Sequence, residues 1–278
     1  MEGTKEYWSM TEGVFNCLID KERTHAFKAA IQHAVKVGDV VVDMGTGSGV
    51  LAMFAADCGA KKVFAVESDE KNYKTLERTF EINGYQDVIS LIRGDIRSVK
   101  LPEKVDVIIG EMIATGLIEE LQVPAMNNML RFAKNSVVVV LNRFRSYVDL
   151  VSNPDEYYGH RFKILRYEYP EIPEIKSVVY SEKELFSDVD FSQIVEDLDV
   201  NKELTLTVTK NGSINAIRIS SETIFSDKSV FSASFAYSYP IILPIETHAV
   251  SIGDRFRINI SYKLCQGFDG FGYACIKI

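Results

Sequence analysis

The chain is poor in the residues that build metal centres and disulfide frameworks. Its four cysteines, Cys17, Cys58, Cys265 and Cys275, stand apart with no C-x-x-C spacing, and its four histidines are scattered over 278 residues. That pattern offers neither a zinc knuckle nor a redox pair; it fits reduced, buried thiols in a cytoplasmic protein with no metal. No apolar run is long enough to cross a bilayer, and the N-terminus shows no signal-peptide pattern, so no membrane partner is expected. Positive charge is in deficit: 31 Lys and Arg face 39 Asp and Glu, for a net charge of −8 and a pI of about 5.2. Nucleic acid is therefore not the expected partner, because phosphate recognition needs basic surface. A cationic substrate is compatible with this balance. Internal repeats, low-complexity tracts and long like-charge blocks are also missing. What remains is a chain 46% hydrophobic and 25% charged, a globular balance with length for one large domain or two modest ones.

The most informative stretch runs from Val40 to Glu67. A buried strand, Val40-Val41-Val42, ends at Asp43 and opens into Gly45, Gly47 and Gly49. An apolar helix follows to Cys58, then a second strand, Val63–Val66, that ends in Glu67. This is a βαβ nucleotide-binding pattern, with glycines where backbone must turn tightly and approach a ligand, and an acid placed to bind ribose hydroxyls. The dinucleotide fingerprint G-x-G-x-x-G does not fit, because the third glycine comes one residue early and Val50 stands where glycine is required. Asp43 would repel a pyrophosphate and attract a cation. The pattern D-x-G-x-G-x-G with a following acid resembles motif I of the class I S-adenosylmethionine methyltransferases, whose cofactor carries a sulfonium and an ammonium. A dinucleotide site and a glycine-rich turn without a ligand are the alternatives.

Around this unit the chain alternates helices and apolar strands, the pattern of a parallel sheet covered on both faces. After a polar and aromatic lead-in (Tyr7, Trp8, Phe15), Thr24 can cap a helix reaching Val37, with Phe27, Ala30, Ile31 and Ala34 on one face. A helix over Asp69–Asn83 stops at Gly84; strands are expected at Val88–Ile92, Val105–Ile109 and Val137–Leu141, with a helical stretch over Ile118–Ala133. Asp43, Glu67, Asp95 and Glu111 then fall at successive strand ends, where ligands of such sheets bind. Beyond Asn142 the character changes. From Lys176 onward the pattern is period-two, with strands expected at Val178–Tyr180, Leu204–Thr209, Ala216–Ile219, Phe231–Tyr239, Arg255–Tyr262 and Tyr273–Ile278. Asn211-Gly212, Gly253-Asp254 and Asp269-Gly270 supply turns. The fold class expected is α/β: a Rossmann-like parallel-sheet domain over 1–142, followed by an antiparallel β-barrel-like substrate domain over 143–278.

A second constellation follows the fourth strand. Glu111 and Glu120, nine residues apart, flank a loop, and paired carboxylates can grip a guanidinium and orient one nitrogen lone pair. Taken alone, Glu119 and Glu120 read as the solvated start of a helix. Nearly the full length of the chain resembles the protein arginine methyltransferases. Leu18-Ile19-Asp20-Lys21-Glu22-Arg23-Thr24 is similar to the family's N-terminal helix motif, Val41–Gly49 to motif I, and Glu111 and Glu120 with Leu117 to its double-glutamate loop. Tyr158-Gly159 and Val250–Asp254 resemble its barrel. The resemblance implies transfer of methyl from S-adenosylmethionine to an arginine ω-nitrogen of a protein. Gly45, Gly47 and Gly49 would admit the cofactor, Arg23 and Asp43 would hold its amino-acid end, Glu67 its ribose and Asp95 its adenine, while Glu111 and Glu120 would act as catalytic residues on the acceptor.

The departures lie in the acceptor half. Met112-Ile113-Ala114-Thr115 replaces the family's Trp-Met-Gly-Tyr, and the Thr-His-Trp motif falls on Phe235-Ala236-Tyr237, without the histidine that would partner Asp20. Arg97 stands where the family's adenine-binding glutamate is expected, and Asn142–Tyr158 is short for a dimerisation arm, so a monomer or a dimer through another surface is expected. The lone His248 reads as an ordinary loop or barrel histidine. Two alternatives stay open: a methyltransferase for another acceptor, either a different side chain or a small cationic molecule, and a non-catalytic cofactor-binding interaction protein. A base methyltransferase is disfavoured, because strand four ends Ile-Ile-Gly-Glu rather than Asn/Asp-Pro-Pro-aromatic.

Overall fold

The computed structural model describes residues 13–169 and 171–278, so Tyr7 and Trp8 of the lead-in lie outside the described residues. The chain divides into two compact units, one holding residues up to Glu111 with 128–140, the other holding 112–127 with 141–278.

The first unit carries α1 (Gly13–Ile19), α2 (Lys21–Ala34), β1 (Val40–Met44), α3 (Val50–Asp57), β2 (Lys62–Glu67), α4 (Glu70–Ile82), β3 (Ile89–Arg93), β4 (Val105–Gly110) and β5 (Ala133–Val139). α5 (Gln122–Met129) precedes β5 and begins in the second unit. The five strands form one parallel sheet in the order β3-β2-β1-β4-β5. Every residue of β1 is buried, as strands covered on both faces require. Asp20, not Thr24, caps α2: its side chain accepts from the Arg23 amide at 3.0 Å. Thr24 sits one turn inside, its hydroxyl donating to the Cys17 carbonyl. Phe27, Ala30, Ile31 and Ala34 are buried, and the helix stops at Ala34 because Val35 is already extended. The helix expected over Ile118–Ala133 shrinks to α5, since Leu117 and Glu120 have left-handed backbone at φ 52° and 60°.

The second unit is antiparallel and barrel-like. In chain order it contains β6 (Leu141–Ser152), β7 (Glu156–Tyr157), β8 (His160–Arg161), β9 (Arg166–Tyr167), β10 (Val178–Val179), β11 (Glu184–Asp190) and β12 (Asp199–Thr207). Then come β13 (Gly212–Phe225), β14 (Val230–Phe231), β15 (Ile241–Val250), β16 (Arg255–Lys263) and β17 (Gly272–Lys277). The larger sheet runs β10-β6-β13-β15-β9, with β11 also on β6; the smaller is β12-β16-β17. Its core includes Phe144, Leu150, Ile217, Ile242 and Ile258, all fully buried. One expectation fails here. The strand predicted over Phe231–Tyr239 is only β14, because Ser234 and Tyr237 close a tight turn and Ser238 has φ 52°. β6, the spine of the larger sheet, and β15 were not foreseen. Among the described residues no disulfide forms, and of the four cysteines only Cys265 is buried; Cys17, Cys58 and Cys275 are partly exposed. Among the described residues, no helix is long and apolar enough to cross a membrane.

Candidate active site

In the first unit the strand order reverses between β1 and β4, and the crevice beyond the carboxyl ends of such strands is where ligands of this architecture bind. Two glycines there stand where a Cβ would meet close neighbours. A Cβ on Gly110 would lie 2.7 Å from Met44 backbone, because β1 and β4 are in register at Met44 and Gly110. A Cβ on Gly49 would lie 2.6 Å from the Phe80 ring, and its φ of 79° is left-handed. Gly45 and Gly47 also take positive φ, and a Cβ on Gly47 would meet only ordinary contacts.

Asp43 is 1% exposed at the base of this loop, and the Thr46 hydroxyl donates to it at 2.6 Å. Burial pushes its carboxyl up to about 7, opposed by the Thr46 bond and the Arg23 guanidinium and reinforced by the Glu67 carboxylate. A buried carboxyl in that condition gains its charge when a cation arrives, which is what a ligand ammonium would supply. Glu67, 8% exposed, is held through both oxygens: Oε1 accepts from the Asp69 amide at 2.8 Å, Oε2 from Asn72 Nδ2 at 2.9 Å. Asn72 Nδ2 also donates to the Gly47 carbonyl at 2.7 Å, tying the acid to the glycine loop. Carboxylate oxygens accept more than one bond each, so Glu67 keeps capacity for ribose hydroxyls. These residues fit S-adenosylmethionine.

Arg23 does not stand alone. Its Nε donates to Glu111 Oε2 at 2.8 Å, with a second contact from Nη2, and both side chains are only 6% exposed. Its Nη1 donates to the Cys17 carbonyl at 3.2 Å, and its guanidinium lies 5.3 Å from the Phe27 ring centre. The structure thus joins two residues that the sequence assigned to different ends of the reaction. Asp95 is drawn the other way: Arg97 Nη2 donates to it at 2.6 Å and Nε at 3.0 Å, which lowers its carboxyl below the usual range, in an exposed pair.

In the second unit, Glu120 sits in left-handed backbone, and Glu119 is not the start of a helix: the Tyr167 hydroxyl donates to its Oε2 at 2.6 Å. Sequence reasoning missed Asn72, Thr46 and Tyr167. A polar residue in the first turn after Asp69 hinted at Asn72; nothing local pointed from Glu119 to Tyr167, 48 residues away.

Residues 22–135 match the family model described as ribosomal protein L11 methyltransferase (PrmA). An uncharacterized protein of Methanocaldococcus jannaschii, MJ1452, is 34% identical over 251 residues, covering 90% of this chain and 91% of that protein. A probable histone-arginine methyltransferase 1.3 of Arabidopsis thaliana is 41% identical over 107 residues, which is 38% of this chain and only 20% of the plant protein. The chain superposes on a Trypanosoma brucei PRMT1 enzyme–prozyme complex with AdoHcy at a TM-score of 0.77, with 18% identity, over 95% of this chain and 96% of that one. The chain belongs to one family with the archaeal protein, and its likeness to methyltransferases rests on residues 22–135 and on the shared fold. The solved relative has the same pair of a parallel-sheet unit and an antiparallel barrel-like unit, and the residues matched to the family model span the glycine loop, Glu67, Asp95 and the Glu111 to Glu120 loop.

Proposed function

We propose that this methyltransferase moves the methyl group of S-adenosylmethionine to a nitrogen of a cationic protein side chain, first of all an arginine ω-nitrogen. The observation that carries the reading is the rim of the parallel sheet, where a protonatable Asp43, a two-point-held Glu67 and a buried Arg23–Glu111 pair surround the glycine loop. The cofactor supplies an electrophilic methyl for in-line displacement, so the protein's work is positioning. Gly45 and Gly47 leave room for it, and Gly49 turns the loop into α3 against the Phe80 ring. Asp43 accepts its ammonium, Arg23 faces its carboxylate, and Glu67 accepts from its ribose. Asp95 reaches the adenine amine only by loosening its bonds to Arg97. The sequence assigns Glu111 and Glu120 to the acceptor cation, and Arg23 competes for Glu111.

A second reading, another acceptor nitrogen, is favoured by one observation. Tyr237, the residue in place of the family's tryptophan, is 1% exposed and its hydroxyl pairs with Thr223, so it is not placed to line a pocket. The deciding experiment is a calorimetric titration with S-adenosylhomocysteine, followed by a methylation screen with labelled cofactor. Binding that Glu67→Ala abolishes, with label on arginine, supports the proposal. Label on another atom selects the second reading, and no binding removes both.

A further inference from the structure

The second unit leaves a slot open in its strand ladders. β11 pairs with β6 and β12 with β16, and among the described residues the two strands do not pair with each other. They start together at the bridge between Ser181 and Val208, where the Thr209 amide also donates to the Tyr180 carbonyl at 2.9 Å. They end together at the loop 191–198, which Asn127 pins by donating to the Val195 carbonyl and accepting from its amide, both at 2.9 Å. Between these closures they part around a groove of about 590 Å³. We propose that this groove takes an extended, cationic segment of a partner protein, added as a strand between β11 and β12.

The backbone supplies the edges. The Phe191 amide donates to the Asn142 carbonyl at 2.8 Å, in step with the pairing of Val189 with Phe144. Residues of an antiparallel ladder alternate between bonding their partner strand and facing away from it. Asp188 and Asp190 thus turn their backbone groups away from β6. On the facing strand the Leu264 amide donates to the Leu198 carbonyl at 2.8 Å, so the same alternation turns Asp199 and Asn201 away from β16. The Asp199 amide is taken by the Asp197 carboxylate, which leaves its carbonyl for an added strand.

Charge keeps the slot open and selects its occupant. Asp188, Asp190, Asp197 and Asp199 line the groove against a single lysine, Lys202. Like charges across a ladder oppose pairing, and the bulge between Leu185 and Ser187 bends β11 further out of line. Arg143 and Arg145 engage Asp188, while Asp190 and Asp197 accept from neutral groups, the Ser192 amide and hydroxyl and the Asp199 amide. A strand with Lys or Arg on one face would meet these acids, and its alternate side chains would meet Leu185, Leu204 and Leu264. Strand addition draws affinity from main-chain bonds and specificity from alternate side chains. Charge on an edge strand guards it against indiscriminate pairing; here its single sign admits a strand of the opposite sign.

The test needs neither cofactor nor turnover. Calorimetry on the full chain would use the peptide Lys-Val-Lys-Val-Lys-Val, a counterpart methylated on two backbone nitrogens, and one with glutamate in place of lysine. Amide hydrogen exchange would locate the bound peptide. The lysine peptide is expected to bind, more weakly as salt rises because its partners are exposed carboxylates, and to slow exchange at the Asp188 and Asp190 amides. The N-methylated counterpart should bind roughly tenfold more weakly, as loss of two hydrogen bonds predicts, and the glutamate peptide should not bind. Asp190→Asn combined with Asp199→Asn should weaken the lysine peptide several-fold and flatten its salt dependence. No binding of the lysine peptide, equal binding of either counterpart, or protection confined to residues outside 181–208 would overturn the proposal. So would a chain that dimerises by itself with Asp188 and Asp190 protected, since the occupant would then be a second copy. The peptide comparisons on wild type decide the outcome even if the double substitution unfolds the protein.

Discussion

At the scale of single residues, the rim of the parallel sheet is governed by buried charge. Burial lifts the Asp43 carboxyl to about 7, above its unfolded value, so the fold favours the protonated form. Its stabilising contribution is full below about pH 4 and is lost as pH rises through 7. Urea unfolding of the free protein should therefore show stability falling across that window, and Asp43→Asn should flatten the fall. A ligand ammonium reverses the preference. S-adenosylhomocysteine binding at pH 6 should thus release a proton, visible as a dependence of the calorimetric enthalpy on buffer ionisation heat; Asp43→Asn should remove it. The Arg23–Glu111 pair makes the opposite demand, because both groups are charged and nearly inaccessible. Removing one partner of a buried pair strands the other, so Glu111→Gln should lower unfolding free energy by roughly 3 kcal/mol. A double-mutant cycle with Arg23→Met should recover part of that loss; additive losses would mean the pair is not coupled.

At the scale of elements, glycines set how closely strands and helices meet. Gly110→Ala would drive a Cβ against the backbone of Met44 in the neighbouring strand, which cannot yield without breaking the β1–β4 pairing. Gly49→Ala would press on Phe80 and Leu76 side chains, which can shift. Overpacking typically costs about 1–3 kcal/mol; Gly49→Ala is expected in that range and Gly110→Ala beyond it. Chemical denaturation of both variants ranks them, and equal losses would contradict the distinction between yielding and unyielding neighbours. The same scale explains which strands were legible. β1, β2 and β4 are mostly apolar runs, Val40–Val42, Val63–Val66 and Val107–Ile109, with a charged residue at or near a strand end. β6 carries Arg143, Arg145 and Asp149, whose charges are matched by Asp188 and Arg218 from β11 and β13; without those partners in view it reads as a linker. β15 contains Pro244, a strand-breaking signal, yet pairs with β13 on both sides of it.

At the scale of the whole molecule, the chain passes from the first unit to the second at Glu111, returns for 128–140 and leaves again at Leu141. Residues 112–127 are secured by the second unit: Asn127 exchanges two hydrogen bonds with Val195, and Thr115 and Gly116 bond to Tyr239, Ser221 and Tyr262. We propose that the cofactor-binding domain nonetheless ends near Asn142, since all five parallel strands precede it. A fragment of residues 1–142 is then expected to retain S-adenosylhomocysteine binding while chymotrypsin cuts it within 112–127, a segment protected in the full chain. Equal protection in both would show that the first unit secures this segment by itself.

The sequence by itself determined the parallel sheet, the glycine loop with its two acids and the change of character after Asn142, because these are written in local apolar runs, turn residues and spacing. Tertiary structure alone decided the pairing of Arg23 with Glu111, the fastening of Glu67 by Asn72, the engagement of Asp95 by Arg97 and the meeting of Glu119 with Tyr167. Spacing can place a carboxylate at the end of a strand. Which cation or hydroxyl it faces depends on side chains brought close by folding, and on how far burial has stripped both of water.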